Sequence, residues 1–150
     1  MRFIIVISNI LFTFLVYGQQ INTSVNNKIV YGDLAGNRSL AFGVKNILDE
    51  LVQDQGYDLS EDNGSALTVD LLYFDVVRKS STIGIVTKTN NQVEIIAQAK
   101  YKGKKVKVKA TADNIITSTI VLNNSGSFNQ QSVSVALKKL CEQIIKKIKL

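Results

Sequence analysis

Two aspartates, Asp70 and Asp75, lie in the apolar run ALTVDLLYFDVV (residues 66–77). A pair of carboxylates held rigidly on a strand is the minimum equipment of a glycosidase-type hydrolase. Two more acid pairs, Asp49-Glu50 and Glu61-Asp62, are adjacent in sequence. Neighbours of that kind on a helix or loop ordinarily face water. Asp70 shares its face of the strand with Thr68, opposite Leu67, Val69 and Leu71, so exposure to solvent is expected of it rather than catalysis. The sequence has no histidine, which removes the commonest general base and the commonest metal ligand together. Its one cysteine, Cys141, excludes an internal disulfide and a cysteine-zinc cluster. It falls on an apolar helical stripe and reads as a buried, inert thiol, with an intermolecular disulfide as the other reading. No Walker loop, GxGxxG, HExxH, calcium loop or nucleophile elbow is present. No catalytic, metal-binding or cofactor-binding residue is assigned, and no cofactor is implied. Asn-x-Ser/Thr matches at Asn22, Asn37, Asn63 and Asn123 matter only in a eukaryotic secretory pathway.

The densest charge lies in VEIIAQAKYKGKKVKVKATA (residues 93–112), with six lysines and one acid. Taking Lys102-Gly103 as a two-residue turn pairs Tyr101 with Lys104 and fixes the register of a hairpin. Val93 then faces Ala112, Ile95 faces Ala110, Ala97 faces Val108 and Ala99 faces Val106, all apolar and all on one side. The other side carries Glu94 with Thr111, Ile96 with Lys109, Gln98 with Lys107, and Lys100 with Lys105. A slip of one residue would destroy the match. Lys100, Lys105, Lys107 and Lys109 therefore read first as the solvated face of a core-building hairpin, where lysine also discourages edge aggregation. The facing like charges of Lys100 and Lys105 leave a second reading open, an anionic partner on this face. Specific nucleic-acid binding is disfavoured because the face lacks aromatic stacking partners.

The elements around it follow from periodicity. KIVYG (residues 28–32) reads as a short first strand, and DLAGNRS (33–39) as a loop whose Asn37 or Ser39 caps the next helix. Val44, Ile47, Leu48, Leu51 and Val52 form a helical stripe, closed by Gly56 as the residue after the last turn. The run 66–77 begins as an alternating strand, then turns apolar on both faces from Leu72 to Phe74, as a central or doubly covered strand would. Ser80–Asn91 reads as a strand end and loop, with Ile83–Val86 a possible continuation. Ile115–Leu122 is either another strand or a bent extension of the preceding one. Val133, Leu137, Leu140, Cys141, Ile144 and Ile148 make the stripe of a last helix within residues 128–150. Ser127 and Gln130 resemble its capping box. The fold expected is α+β: an antiparallel sheet of about four strands with both amphipathic helices on one face.

Residues 1–18 read as a signal peptide: a basic Met1-Arg2, an apolar Phe3–Val16, then Val16 and Gly18 at the −3 and −1 positions of a cut before Gln19. An uncleaved anchor is the second reading. The polar residues 19–27 read as a flexible leader and 28–150 as a single domain. Export to the periplasm or exterior is expected. Charge is unevenly spread: residues 19–75 carry three basic and nine acidic side chains, net −6, and residues 76–150 carry fourteen basic and three acidic, net +11. Such polarity points either to intramolecular complementarity or to an anionic partner.

The pieces KIVYGDLAGNRS, ILDELVQDQGYDL and ALTVDLLYF, in this element order, resemble small bacterial envelope proteins of the YajG lipoprotein type. The likeness spans about residues 28–149 and rests on patterning. More loosely the chain is similar to the lipopolysaccharide-assembly lipoprotein and to the N-terminal part of the curli-secretion channel family. It departs from them in having Gln19 where the lipidation cysteine would stand. The resemblance implies a non-enzymatic envelope accessory, assisting assembly or secretion of surface components through a protein partner. A structural component of a larger particle or surface layer, and a carboxylate-dependent hydrolase, are the alternatives. Weak binding to anionic surfaces is expected of the lysine face.

Overall fold

The polar stretch after residue 18 is not a leader. In the computed structural model, which describes residues 19–33, 35, 39–62, 64–84, 86–118 and 130–150, Gln20–Tyr31 is the first strand, β1. Its low apolar content conceals an alternation. Ile21 and Thr23 are buried, and Val25, Ile29 and Tyr31 pack against the core. Asn22, Ser24 and Asn26 point to the opposite face. The domain therefore begins eight residues before Lys28. The expected signal peptide, the capping Asn37 and Ser127, and residues 119–122 lie outside the described residues.

The remaining elements are α1 (Ala41–Asp54), β2 (Asp58–Leu59), β3 (Ser65–Ile83), β4 (Val86–Tyr101), β5 (Lys104–Ser118) and α2 (Gln130–Ile148). They form a five-stranded sheet in the order β2-β1-β3-β4-β5. The α+β class holds, but the sheet is mixed and has one more strand than expected. β1 runs parallel to both β2 and β3, while β3, β4 and β5 are antiparallel. The parallel half was illegible because its partner strand lay hidden in polar residues. A parallel neighbour needs a crossover, and α1 supplies it.

Both helices lie on the same face, α1 over β1 and α2 over β4 and β5. α1 starts after Leu40, a buried apolar residue with no side-chain cap, so Ser39 is not the cap. It ends as expected at Gly56, whose φ is +83°. Gly56 N–H donates to the carbonyl of Gln53 and Tyr57 N–H to that of Val52, a Schellman closure. On α2 the whole predicted stripe is buried. The helices meet where the Cys141 thiol donates to the Val44 carbonyl at 3.8 Å.

The lysine-rich hairpin folds in the expected register, from Tyr101 opposite Lys104 to Val93 opposite Ala112. Lys102 and Gly103 both have positive φ, 44° and 78°, as a type I′ turn requires. β5 continues without a break to Ser118, so Ile115–Ser118 is an extension of it. β3 likewise runs to Ile83, and residues expected to be a loop form its hairpin with β4. β3 is the central strand of the sheet, one of the two readings of Leu72–Phe74, and its apolar residues on both faces there mark a bulge, not a second cover. Leu71 pairs with Ala97 and Tyr73 with Ile96, which leaves Leu72 unpaired. The inward set therefore switches from Leu67, Val69 and Leu71 to Phe74 and Val76.

One connection depends on a glycine. Since β2 and β3 flank β1 on opposite sides, the connection from β2 to β3 passes from one side of β1 to the other. Ser60 N–H donates to the Ile21 carbonyl at 3.0 Å, and the Asn22 amide donates to the Glu61 carbonyl. A Cβ on Gly64 would stand 2.7 Å from the Asn22 nitrogen and the Ile21 carbonyl carbon. Only a residue without one lets the backbones come this close.

Candidate functional site

The face of the sheet opposite the helices, on which no helix of the described residues packs, carries most of the residues that the sequence singles out. Asp70 is on this face, as alternation demands, yet it is not solvated: it is 5% exposed. Its neighbours close over it. Asn26 of β1 donates to Oδ1 at 2.8 Å. Lys28 lies 3.1 Å from the same oxygen and Lys100 of β4 lies 3.2 Å from Oδ2. The Asn26 hydrogen bond, reinforced by both ammonium groups, holds the carboxyl at about 2, below its ordinary 3.8, against the opposing effect of burial. Asp70 is an ion-pair hub across three strands, not the solvent-exposed residue that alternation alone suggests. The sequence hid this because Asn26 lies in the stretch read as a leader and the strand read from Lys28 had no partner assigned to it.

Asp75 is engaged as well. Its Oδ2 accepts the Tyr73 hydroxyl at 3.0 Å and its Oδ1 accepts the Val76 N–H at 2.7 Å. The hydrogen bond to Asp75 pushes the Tyr73 phenol above its usual range. The carboxylate lies flat on Gly32, where a Cβ would meet its Cγ at 2.0 Å. Both aspartates of the strand are thus engaged by neighbouring groups.

The four candidate lysines divide. Lys100 is paired with Asp70, and Lys109 with Glu94 at 2.7 Å. Lys105 and Lys107, both exposed on β5, make no ion pair among the described residues. Half of the expected anion-facing set is thus already neutralised within the sheet.

A cleft of about 500 Å³ opens between β1, α1 and β2, lined by Ile21, Asn22, Thr23, Lys45, Asp49, Leu59, Ser60 and Glu61. Asp49 was expected to face water beside Glu50. Instead it accepts the Thr23 hydroxyl through Oδ1 and pairs with Lys45 through Oδ2 at 2.7 Å. These three groups satisfy one another. Cys141 is fully buried, and burial, with Glu142 adding a little, pushes its thiol up to about 12. Such a thiol is inert. No cluster of potential metal ligands occurs among the described residues. Among them, too, no helix is long and apolar enough to cross a membrane.

A model of the family described as "Uncharacterized lipoprotein" matches residues 20–150. A search of curated proteins gives no match. The chain is similar in structure to a minor lipoprotein from Acinetobacter baumannii, at a TM-score of 0.47 and 16% identity over 87% of this chain and 90% of that one. It is also similar to rare lipoprotein B from Shewanella oneidensis, at a TM-score of 0.46 and 8% identity over 87% and 93%. Likeness at this level says nothing of what the chain binds.

Proposed function

We propose, from the premise that this chain belongs to the family of uncharacterized lipoproteins, that it is a non-enzymatic accessory of the cell envelope. It binds a protein partner and assists the assembly or secretion of surface components. One observation supports this above the hydrolase reading: Asp70, Asp75 and Asp49 are each tied into hydrogen bonds or ion pairs with their neighbours. An acid-base pair needs one carboxyl kept protonated near neutral pH, and Asp70 is displaced in the opposite direction. What the fold offers instead is surface, with both helices on one face of the sheet and no helix of the described residues on the other. The small-envelope-protein resemblance fits the same role, as does a signal peptide cut before Gln19. Cys141, the sequence's one cysteine, is buried in α2 and gives no access to a lipid-transferring enzyme in the folded domain.

The test is capture of a tagged copy, cross-linked in cells of the host, from the envelope fraction. A defined heterologous protein at constant ratio to the bait is the expected result. Recovery of the bait alone, or hydrolase activity that Asp70→Asn and Asp75→Asn abolish in a folded protein, would overturn the reading.

A further inference from the structure

The two edges of the sheet are complementary. At one edge β2 covers only the start of β1: Asp58 and Ser60 donate their N–H groups to the carbonyls of Gln19 and Ile21. A strand turns the N–H and C=O of each residue to one side and those of the next residue to the other. Thr23, Val25 and Asn27 therefore turn theirs to the edge that β2 leaves, and no strand of the described residues pairs with them. Near this edge the exposed side chains are Asp58, Glu61 and Asp62, with Glu50 and Asp54 on α1, while the one cation among them, Lys45, is paired with Asp49.

At the other edge lies β5. Its outward carbonyls at Lys107 and Thr111 accept from Lys147 and Lys139 of α2, at 3.3 and 3.4 Å. This guards half of the edge only. Lysine is a donor without an acceptor, so it can serve carbonyls but not the outward N–H groups. Lys105 and Lys107 stand exposed along the same strand, and the sequence's charge polarity has become an acidic edge and a basic one.

We propose that a second copy of this chain is the occupant of the β1 edge, its β5 lying alongside β1 from Thr23 to Asn27, so that copies join head to tail. Pairing β1 with β1 would set acid against acid, and β5 with β5 lysine against lysine; only the unlike edges attract. With the helices of both copies on the same side, β5 runs parallel to the β1 it meets. β1 already pairs in parallel with both β2 and β3. The joint is heterologous, so each copy keeps one edge open for the next. Because the charges are exposed, salt weakens the joint. This proposal does not depend on the accessory reading above, which a heterologous partner tests.

The experiment mixes equal amounts of the ¹⁴N and ¹⁵N protein, purified from its host, and treats them with a carbodiimide at low and at high salt. Cross-linked peptides of mixed isotope joining Lys105 or Lys107 to Asp58, Glu61 or Asp62 are expected, severalfold more abundant at low salt. Their absence under both conditions overturns the proposal, as does a monomer at every concentration in sedimentation. Two variants block one edge each: Asn27→Pro and Lys107→Pro remove an outward N–H that pairs with no strand of the described residues. Each alone should stay monomeric and their mixture should give dimers and nothing larger. Folded variants that still polymerise alone, or a mixture without dimers, would show that the joint is elsewhere.

Discussion

The two faces of the β4–β5 hairpin are built from alternate residues of the same strands, and they obey different rules. On the inner face Ile95, Ala97, Ala99, Val108 and Ala110 are at most 1% exposed. Each fully buried aliphatic side chain of valine or isoleucine size contributes roughly 1.5–3 kcal/mol. On the outer face Lys105 and Lys107 stand in water, Lys109 meets Glu94, and Lys100 reaches across to Asp70. Adjacent positions one pleat apart thus differ severalfold in what they contribute to stability. A dense run of lysines is here the consequence of a core that needs every second residue and leaves the others to solvent.

Neighbouring substitutions break this comparison most sharply. Val108→Asp places an unpaired charge in the core and should cost more than about 4 kcal/mol, enough to unfold a domain of this size. Lys107→Asp should change stability by no more than about 0.5 kcal/mol. Urea denaturation of both variants checks the pair, and equal costs would mean that the inward and outward sets are misassigned. Gly64→Ala comes next, at roughly 1–3 kcal/mol, because its Cβ meets backbone that cannot move aside.

Asp70 is the exception on the outer face, and pH exposes it. Its carboxyl is held at about 2 in the folded chain against 3.8 when unperturbed. A group with a depressed folded value stabilises fully above the unperturbed value and loses that contribution as pH falls through the folded one. The window is therefore from about pH 4 down to about 2. Asp70→Asn should be less stable at neutral pH by about 1–2 kcal/mol, a figure kept low because Lys28 and Lys100 are half-exposed. The gap to the parent should close across that window, as melting temperatures at stepped pH would reveal. A gap that stays constant with pH would assign the loss to packing rather than charge.

The smallest effect concerns the lysines as a binding face. Attraction to anionic liposomes should be weak at low ionic strength and largely gone near 0.15 M, where the Debye length is about 8 Å. Since Lys100 and Lys109 are already paired, Lys105→Gln with Lys107→Gln should remove most of it. Tight binding that survives physiological salt, measured by vesicle co-sedimentation, would turn the hairpin from a solvated face into a ligand site.

The sequence by itself determined whatever repeats at short range. Leu48, Val52, Leu140 and Ile144 announce their helices through spacing alone. The hairpin register follows from one turn and the strict alternation beside it, and Gly56 marks a helix end through its own conformational freedom. Each of these signals lies within a few residues of what it specifies. Tertiary structure decided the rest, because it depends on partners brought from far along the chain. Gln20–Asn27 is polar in composition and becomes a strand when β3 pairs with it in parallel, some 44 positions away. Asp70 looks like an ordinary polar-face residue until Asn26, Lys28 and Lys100 close over it from two other strands. Leu72 looks like a second apolar face and is a bulge, visible only against its neighbouring strand. A chain that pairs a polar strand with a distant apolar one conceals half of its sheet, since hydrogen bonds between backbones leave no mark on residue type.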